Sequence, residues 1–345
     1  MRKFYILFLL FGQSSLLAVG QSSVHVPADA ALQTLMQRHQ VPAAGIGVIE
    51  NNELKSARVF GELRAGVPAP ANTLFQVASL TKPVVEMTTL RLVSKGLWSL
   101  DAPLAKYWTD PDVKDDPRHG LLTTRHVLSH QTGFVNWRWE HQTGKLVFDF
   151  APGTNTRYSG EGLEYLKHAL EAKFKMPLAA IVSKYLFEPD SMKDTHFFWD
   201  GGVTEDRYAV PHNKEAAPYE IRKNKEVSAA DLLMTTITDY TTFGVNVLRK
   251  KQLNDKVWED MIHIQSKEPN AKFGLGWEVY NNVKGGDFVL LHSGSDPGVR
   301  TVIALLPSSK QGLVIFTNSD NGIPFIKDLI KESLDIGEAL LQKVK

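Results

Sequence analysis

The chain has 345 residues, of which 43% are hydrophobic and 22% are charged, an ordinary composition for a soluble globular protein of one large or two modest domains. Its formal net charge of +1 gives no electrostatic basis for binding nucleic acid or an anionic membrane. The absence of cysteine excludes a disulfide framework, thiol chemistry and a cysteine-linked lipid anchor.

The first twenty residues predict an export signal. Two basic residues precede a mostly apolar run over residues 4–10, and Ala18 and Gly20 fit the small-residue positions of a signal-peptidase site. Polar residues from Gln13 onward interrupt the run, which falls short of the ~20 apolar residues of a spanning helix. We expect cleavage after Gly20, a bacterial periplasmic or secreted location, and no stable membrane span in the mature domain, residues 21–345.

Apolar periodicity and turn residues predict the remaining elements in chain order. Helical spacing indicates helices at residues 31–39, 79–95, 163–174, 178–186, 229–248 and 325–344. Short β-rich runs indicate strands at residues 43–49, 54–60, 273–280, 288–292, 301–306 and 312–317. Late strands joined by short turns must pair antiparallel. The sequence therefore predicts an α+β fold, an antiparallel sheet flanked by N- and C-terminal helices, with a largely helical subdomain inserted at roughly residues 62–270.

Ser79 and Lys82 lie three residues apart at the predicted start of a helix, where both side chains share one face. A neighbouring base can activate a serine for nucleophilic attack, and a desolvated lysine can be that base. Free N–H groups at the helix start would favour a developing oxyanion. A helix cap followed by a solvated lysine gives the same short pattern, so the motif needs support from the rest of the chain.

Two further segments are candidates to meet this pair. Tyr158, at a loop-to-helix junction, is a candidate acid/base group, although a lone tyrosine is more often packed at the surface. His292, Ser293, Gly294 and Ser295 follow directly from a predicted strand. The glycine permits close approach of the backbone to a ligand, and the Ser295 N–H could complete an oxyanion hole with the Ser79 N–H; a plain strand end with a turn is the alternative.

These motifs together resemble the class C β-lactamase type of penicillin-recognising serine hydrolases, which includes DD-peptidases, family VIII esterases and D-amino-acid peptidases. The resemblance runs through most of residues 30–320. Its motifs stand at residues 75–82, 96–104, 124–133, 152–153, 158–160, 273–277, 292–294 and 297–298. Several ordered motifs with suitable separations are far more specific than any one of them.

The resemblance implies a role for each candidate residue. Ser79 would be the acylated nucleophile and Lys82 its activating partner, while Tyr158 would pass a proton to the leaving group and later activate water. The backbone amides of Ser79 and Ser295 would form the oxyanion hole. His292 and Ser293 would orient the substrate beside Gly294. No cofactor or metal is expected; the spacing of His126 and His130 fits a helix-to-turn motif of the family better than a metal site.

Two departures from the family pattern bear on the substrate. Gly160 stands where the family usually has asparagine, whose amide contacts the lysine and the amide side chain of the substrate; its loss favours esters over amides. His292 replaces a frequent lysine, and an ordinary histidine would be partly charged at pH 7. Trp137 and Trp139 are candidates to line the cleft, although packing explains at least one of them.

The sequence thus predicts an exported serine hydrolase acting through an acyl-enzyme on small esters or on short D-amino-acid or peptide-like amides. A class C-type β-lactamase or DD-carboxypeptidase is the first alternative, with a β-lactam or peptide as substrate. A non-catalytic protein of the same fold that captures a cell-wall peptide is the second. The presence of Ser79, Lys82 and Tyr158 together favours an enzyme, since a pure binder has no need of proton-handling groups.

Overall fold

The computed structural model of the protein describes residues 24–267 and 272–344. The predicted signal segment, residues 1–20, lies outside the described residues, so cleavage and export stay predictions. Within the described ranges, no helix is both long and apolar enough to cross a membrane.

The described strands form two antiparallel sheets. They are β1 (Ala43–Glu50), β2 (Glu53–Arg64), β3 (Val67–Pro68), β4 (Leu74–Gln76), β5 (Thr195–His196), β6 (Met234–Thr236), β7 (Glu278–Tyr280), β8 (Val289–Asp296), β9 (Val299–Leu306) and β10 (Gln311–Thr317). The larger sheet has seven strands in the order β3-β2-β1-β10-β9-β8-β7, and the smaller has three in the order β4-β6-β5. Because β1 pairs with β10, with Ile46 opposite Ile315, the first and last strands of the chain lie side by side at the centre of the large sheet.

Helices cover both faces of the large sheet. They are α1 (Asp29–Arg38), α2 (Thr81–Ser94), α3 (Thr124–Leu128), α4 (Gly160–Phe174), α5 (Leu178–Val182), α6 (Glu188–Asp190), α7 (Ile237–Leu248), α8 (Asp255–Ile262), α9 (Gly322–Ser333) and α10 (Gly337–Lys343). One core packs α1, α9 and α10 against one face. A larger core packs α7, α2 and the remaining helical region against the other. Alternate residues of each strand supply the two cores, as the twofold period of a strand requires.

This architecture confirms the predicted fold class, an antiparallel sheet flanked by terminal helices with a mainly helical region in between. The boundaries proposed for that region, residues 62–270, stay a prediction. The small sheet was not predicted, because strands of two or three residues carry no readable alternation.

Two predicted helices were wrong in part. Residues 229–248 contain β6 before α7 begins, since Thr236 stays extended and its side chain accepts a hydrogen bond from the Asp239 N–H as the helix cap. Residues 325–344 form two helices, and at Gly337 any side chain would collide with the Ile330 carbonyl oxygen. Only the last three residues of the predicted strand 273–280 are extended in a sheet, because Gly276 adopts a positive φ of 84° before them.

The α2 helix begins two residues after Ser79 and is buried along nearly its whole length. Three of its ionisable side chains are fully buried: Lys82, Glu86 and Arg91. Arg91 forms two hydrogen bonds with the carboxylate of Asp190, at 3.1 and 2.7 Å. Glu86 has no such partner: neither of its oxygens is hydrogen-bonded in the described structure. Burial raises the pKa of Glu86 to about 8, against an opposing attraction from Lys82, so this carboxyl holds its proton at neutral pH.

We expect Glu86→Gln to stabilise the protein increasingly as pH rises from 5 to 8.5. Over that range the unfolded chain ionises Glu86 near its ordinary pKa of 4.5, whereas the folded protein retains the proton until about pH 8. Wild-type stability therefore falls with rising pH, and glutamine removes that loss, on the order of 4 kcal/mol at about 1.4 kcal/mol per pKa unit. Urea unfolding at pH 5 and pH 8.5 measures the change.

The matched control is Glu53→Gln, since the side chain of Glu53 is 76% exposed. It should leave the pH dependence of the unfolding free energy as it is in the wild type. An equal gain from Glu86→Gln at both pH values would show that Glu86 ionises normally in the folded protein.

Candidate active site

Ser79 lies in a tight turn, residues Ala78–Leu80, that leads directly into α2. Ala78 adopts a positive φ of 50°, a strained conformation for a residue with a side chain. The Thr81 hydroxyl donates to the Ala78 carbonyl at 2.8 Å, and the Leu80 N–H donates to the Val77 carbonyl at 3.1 Å. These bonds hold the strained turn, so the half-buried Ser79 side chain faces the site from a fixed backbone.

Lys82 is fully buried and touches Ser79 directly. Its Nζ lies 2.9 Å from Ser79 Oγ and donates a 2.8 Å hydrogen bond to the Ala230 carbonyl. The loop bearing Ala230 is held in turn, because the Leu233 N–H donates to the Thr81 hydroxyl at 3.0 Å. The predicted serine–lysine pair is thus assembled as a hydrogen bond along which the serine proton can pass.

Tyr158 completes the group through its ring. Lys82 Nζ lies 4.8 Å from the ring centroid, within the range of a cation–π contact. His130 packs on the tyrosine with ring centroids 4.4 Å apart, and Phe273 and His292 surround it at 6.3 and 6.4 Å. Within the described residues the Tyr158 hydroxyl makes no hydrogen bond to Ser79 or Lys82, so the contact of Tyr158 with the pair is made by its ring.

The two histidines beside Tyr158 are neutral. Burial, with the nearby charge of Lys82, lowers the pKa of His292 to about 3 and holds that of His130 well below its usual range. His130 Nδ1 accepts a 3.2 Å hydrogen bond from the Ser159 N–H, and His292 Nδ1 donates to the Ser293 carbonyl at 3.0 Å. The expectation of a partly charged His292 at pH 7 was therefore wrong, because a buried imidazole next to an amine loses its proton.

The β8 strand passes close to the nucleophile at Gly294. A Cβ atom there would lie 3.2 Å from the Ser79 nitrogen and would collide with the Val77 carbonyl oxygen. β7 pairs with β8 only as far as Leu291, so residues 292–296 form an edge without an outer strand in the described structure. The edge of β8 therefore approaches Ser79 at Gly294, and the oxyanion hole of Ser79 and Ser295 N–H groups stays a prediction.

Side chains of this edge alternate between the two faces of the sheet. His292 and Gly294 are buried on the face of α2, whereas Ser293 and Ser295 are exposed and line a cavity of about 200 Å³ beside α9 and α10. Ser293 and Ser295 thus present backbone groups, rather than hydroxyls, to the side of the sheet where Ser79 lies.

A pair of carboxyl groups beside the site was not predicted from sequence. Asp231, next to Ala230, and Asp296, next to Ser295, are close enough to influence each other, and burial raises the pKa of both carboxyl groups. Burial and the neighbouring Asp231 raise the pKa of Asp296 to about 7, while Gln76 Nε2 donates to its carboxyl at 3.2 Å. Sequence offered no signal for this pair, since the two residues are 65 positions apart, Asp231 in a loop and Asp296 at the end of β8.

His126 and His130, whose spacing also fits a metal site, each make other contacts. His126 accepts a 3.3 Å hydrogen bond from the Thr123 N–H at the start of α3, while His130 packs on Tyr158. In the described ranges no group of three or more metal-ligating side chains lies together.

A family model described as Beta-lactamase matches residues 28–337. Esterase EstB of Burkholderia gladioli is 30% identical over 226 residues, which cover 56% of this chain and only 56% of EstB itself. The octameric penicillin-binding protein homologue from Pyrococcus abyssi matches with a TM-score of 0.73 at 21% identity, covering 85% of this chain and 74% of that one.

A class C β-lactamase from Rhodobacter sphaeroides matches with a TM-score of 0.70 at 20% identity, covering 88% of this chain and 97% of that chain. Such structural likeness confirms the predicted α+β architecture. The family match spans most of the chain and confirms the predicted kind of protein, a member of a family of serine acyl-transferases and hydrolases. The chain belongs to the beta-lactamase family.

Proposed function

We propose that the protein is a serine hydrolase that forms an acyl-enzyme on Ser79, with small carboxylic esters as its main substrates and short peptide-like amides second. The observation that carries this proposal is the 2.9 Å contact of Ser79 Oγ with the buried Nζ of Lys82. Export to the periplasm or medium is part of the proposal and rests on the sequence of residues 1–20.

The proposed reaction has two steps. Ser79 Oγ attacks the substrate carbonyl while its proton passes to the Lys82–Tyr158 group; the C–O bond to the alcohol then breaks, and that proton leaves with the alcohol. In the second step water attacks the acyl-enzyme and gives a proton to the Lys82–Tyr158 group. That group then returns the proton to Ser79 as the bond to the acyl group breaks and the acid departs. Backbone N–H groups of Ser79 and Ser295 would stabilise the oxyanion of each step.

Ester preference is supported by Gly160 and by one relative. The amide that family members usually present at residue 160 is missing, so an amide side chain on the substrate would lose a partner. EstB, which this chain resembles over 226 residues, is named an esterase. Burying the Lys82 amine costs free energy, and its placement beside Ser79 and Tyr158 favours a catalytic protein over one that only binds.

We expect a fluorophosphonate probe to label Ser79 and the protein to hydrolyse p-nitrophenyl acetate. Ser79→Ala should abolish both, and Lys82→Ala should slow labelling by at least about a hundredfold, the usual contribution of a general base. Intact-mass measurement with the probe, a penicillin and a D-Ala-D-Ala peptide identifies the acylated species. Exclusive turnover of the penicillin or the peptide would replace the ester proposal with the β-lactamase or carboxypeptidase alternative.

Thr238→Ala serves as the control for Ser79→Ala, since Thr238 is an exposed hydroxyl residue of α7. It should keep labelling and turnover at the wild-type level. A protein that takes no label and turns over none of these substrates would instead be a non-catalytic binder.

We also expect an ionisation near pH 7 in the kcat/KM profile that belongs to Asp296 and not to His292. Asp296 loses its proton near pH 7 on rising pH, and the added negative charge beside Ser295 opposes the developing oxyanion. We therefore expect kcat/KM to rise less steeply with pH above pH 7 than below it. Asp296→Asn should remove that inflection. His292, whose pKa is about 3, is already neutral across this range.

The comparison variant is His292→Gln, assayed from pH 5.5 to 8.5 with p-nitrophenyl acetate. It should change the rate but keep the inflection near pH 7. If the inflection disappears with His292→Gln and persists with Asp296→Asn, the assignment is reversed.

A further inference from the structure

The space beside Gly160 is filled by an indole ring. A Cβ atom at Gly160 would lie 2.8–3.0 Å from three ring atoms of Trp137, which is closer than real side-chain atoms pack. Gly160 begins α4 and has no positive φ, so its backbone does not demand glycine. The glycine is therefore required by Trp137, and the indole occupies the position into which an asparagine side chain would extend.

The backbone on both sides of Trp137 is fixed to the start of α4. The Asn136 carbonyl accepts hydrogen bonds from the Gly160 and Glu161 N–H groups, and its side-chain oxygen accepts a second one from the Gly160 N–H. Arg138 follows, with hydrogen bonds from its N–H and guanidinium to Glu161 and a further ion pair to Asp110. Trp137 is consequently a built part of the site rather than a mobile surface residue.

Trp137 connects the catalytic lysine to the surface. Two steps, 2.9 Å from Ser79 Oγ to Lys82 Nζ and 5.9 Å from Nζ to the ring centroid, separate the nucleophile from the indole. The outer face of the indole stacks on Trp139, with centroids 4.9 Å apart and planes 7° apart. Trp139 is 68% exposed, more than any other large hydrophobic side chain in the described residues.

We infer that Trp137 and Trp139 form the subsite for the acyl group and select acyl groups with an apolar, preferably aryl, substituent beside the scissile carbonyl. This inference rests on the proposed function, since it concerns the group that becomes bonded to Ser79. The acyl group stays next to Lys82 through both steps, and so does the indole. An acylamino substituent would place an N–H and a C=O against an aromatic face that offers them no partner, at a cost in transition-state binding.

The test compares p-nitrophenyl phenylacetate with p-nitrophenyl acetate, which share one leaving group. We expect the wild type to favour phenylacetate in kcat/KM, and Trp139→Ala to lower the ratio roughly three- to tenfold, the range set by aromatic stacking. Trp137→Ala should lower it further, and Trp137→Phe should restore part of it because a ring remains. Leu121→Ala removes another exposed apolar side chain, 55% exposed, and should leave the ratio unchanged.

Fluorophosphonate labelling of Ser79, measured on every variant, separates the two proposals. If Ser79 is labelled but neither tryptophan variant changes the ratio of phenylacetate to acetate kcat/KM, the acyl-subsite proposal is overturned. The serine hydrolase proposal then still stands. Absence of labelling in the wild type overturns the hydrolase and the subsite with it.

A double variant tests the shared space independently. Gly160→Asn alone should slow Ser79 labelling, because the amide collides with Trp137. Combined with Trp137→Ala it should recover labelling and turn selectivity toward the p-nitrophenyl ester of N-acetylglycine, a non-additive outcome expected of residues in contact. Additive losses in the double variant would show that Trp137 does not occupy the position of the missing amide.

Discussion

The buried amine of Lys82 is the constraint on which the rest of the site depends. A charged or polar nitrogen without water needs acceptors and polarisable neighbours, and each one here comes from a different part of the chain. Ser79 contributes its hydroxyl, Ala230 a carbonyl, and Tyr158 and Trp137 their ring faces. The segments that supply these groups are thus arranged around one atom, Lys82 Nζ.

Several ionisable side chains near the Lys82 amine are neutral at pH 7. Two uncharged histidines enclose Tyr158, and Glu86, one helical turn from Lys82, carries a proton at neutral pH instead of forming a salt bridge. A carboxylate paired with the lysine would compete with Ser79 Oγ for the N–H groups of the amine. Burial and the neighbouring Asp231 raise the pKa of Asp296, which limits negative charge near the amine in the same way.

Features caused by neighbouring residues in the sequence could be predicted, whereas features caused by contacts between distant residues could not. The Ser79–Lys82 pair and strands β8 to β10 were readable because helix geometry and alternation are local. The small sheet β4-β6-β5 was not, since its strands are too short for a period. The neutrality of His292 depends on burial by distant elements, and the reason for Gly160 is an indole 23 positions earlier in the chain. Tertiary contacts of this kind leave no trace in local sequence.

The pairing of β1 with β10 affects when the active site assembles during folding. Ser79 and Lys82 lie in the first third of the sequence, yet the edge of β8 that passes Ser79 is held by β9 and β10, and these dock on β1. Contacts between residues so far apart form late and slowly in folding, after a large loss of chain entropy. A partly synthesised chain therefore already contains its nucleophile and its lysine but lacks the strand that faces them, so chemical competence arises only as the last strands enter the sheet.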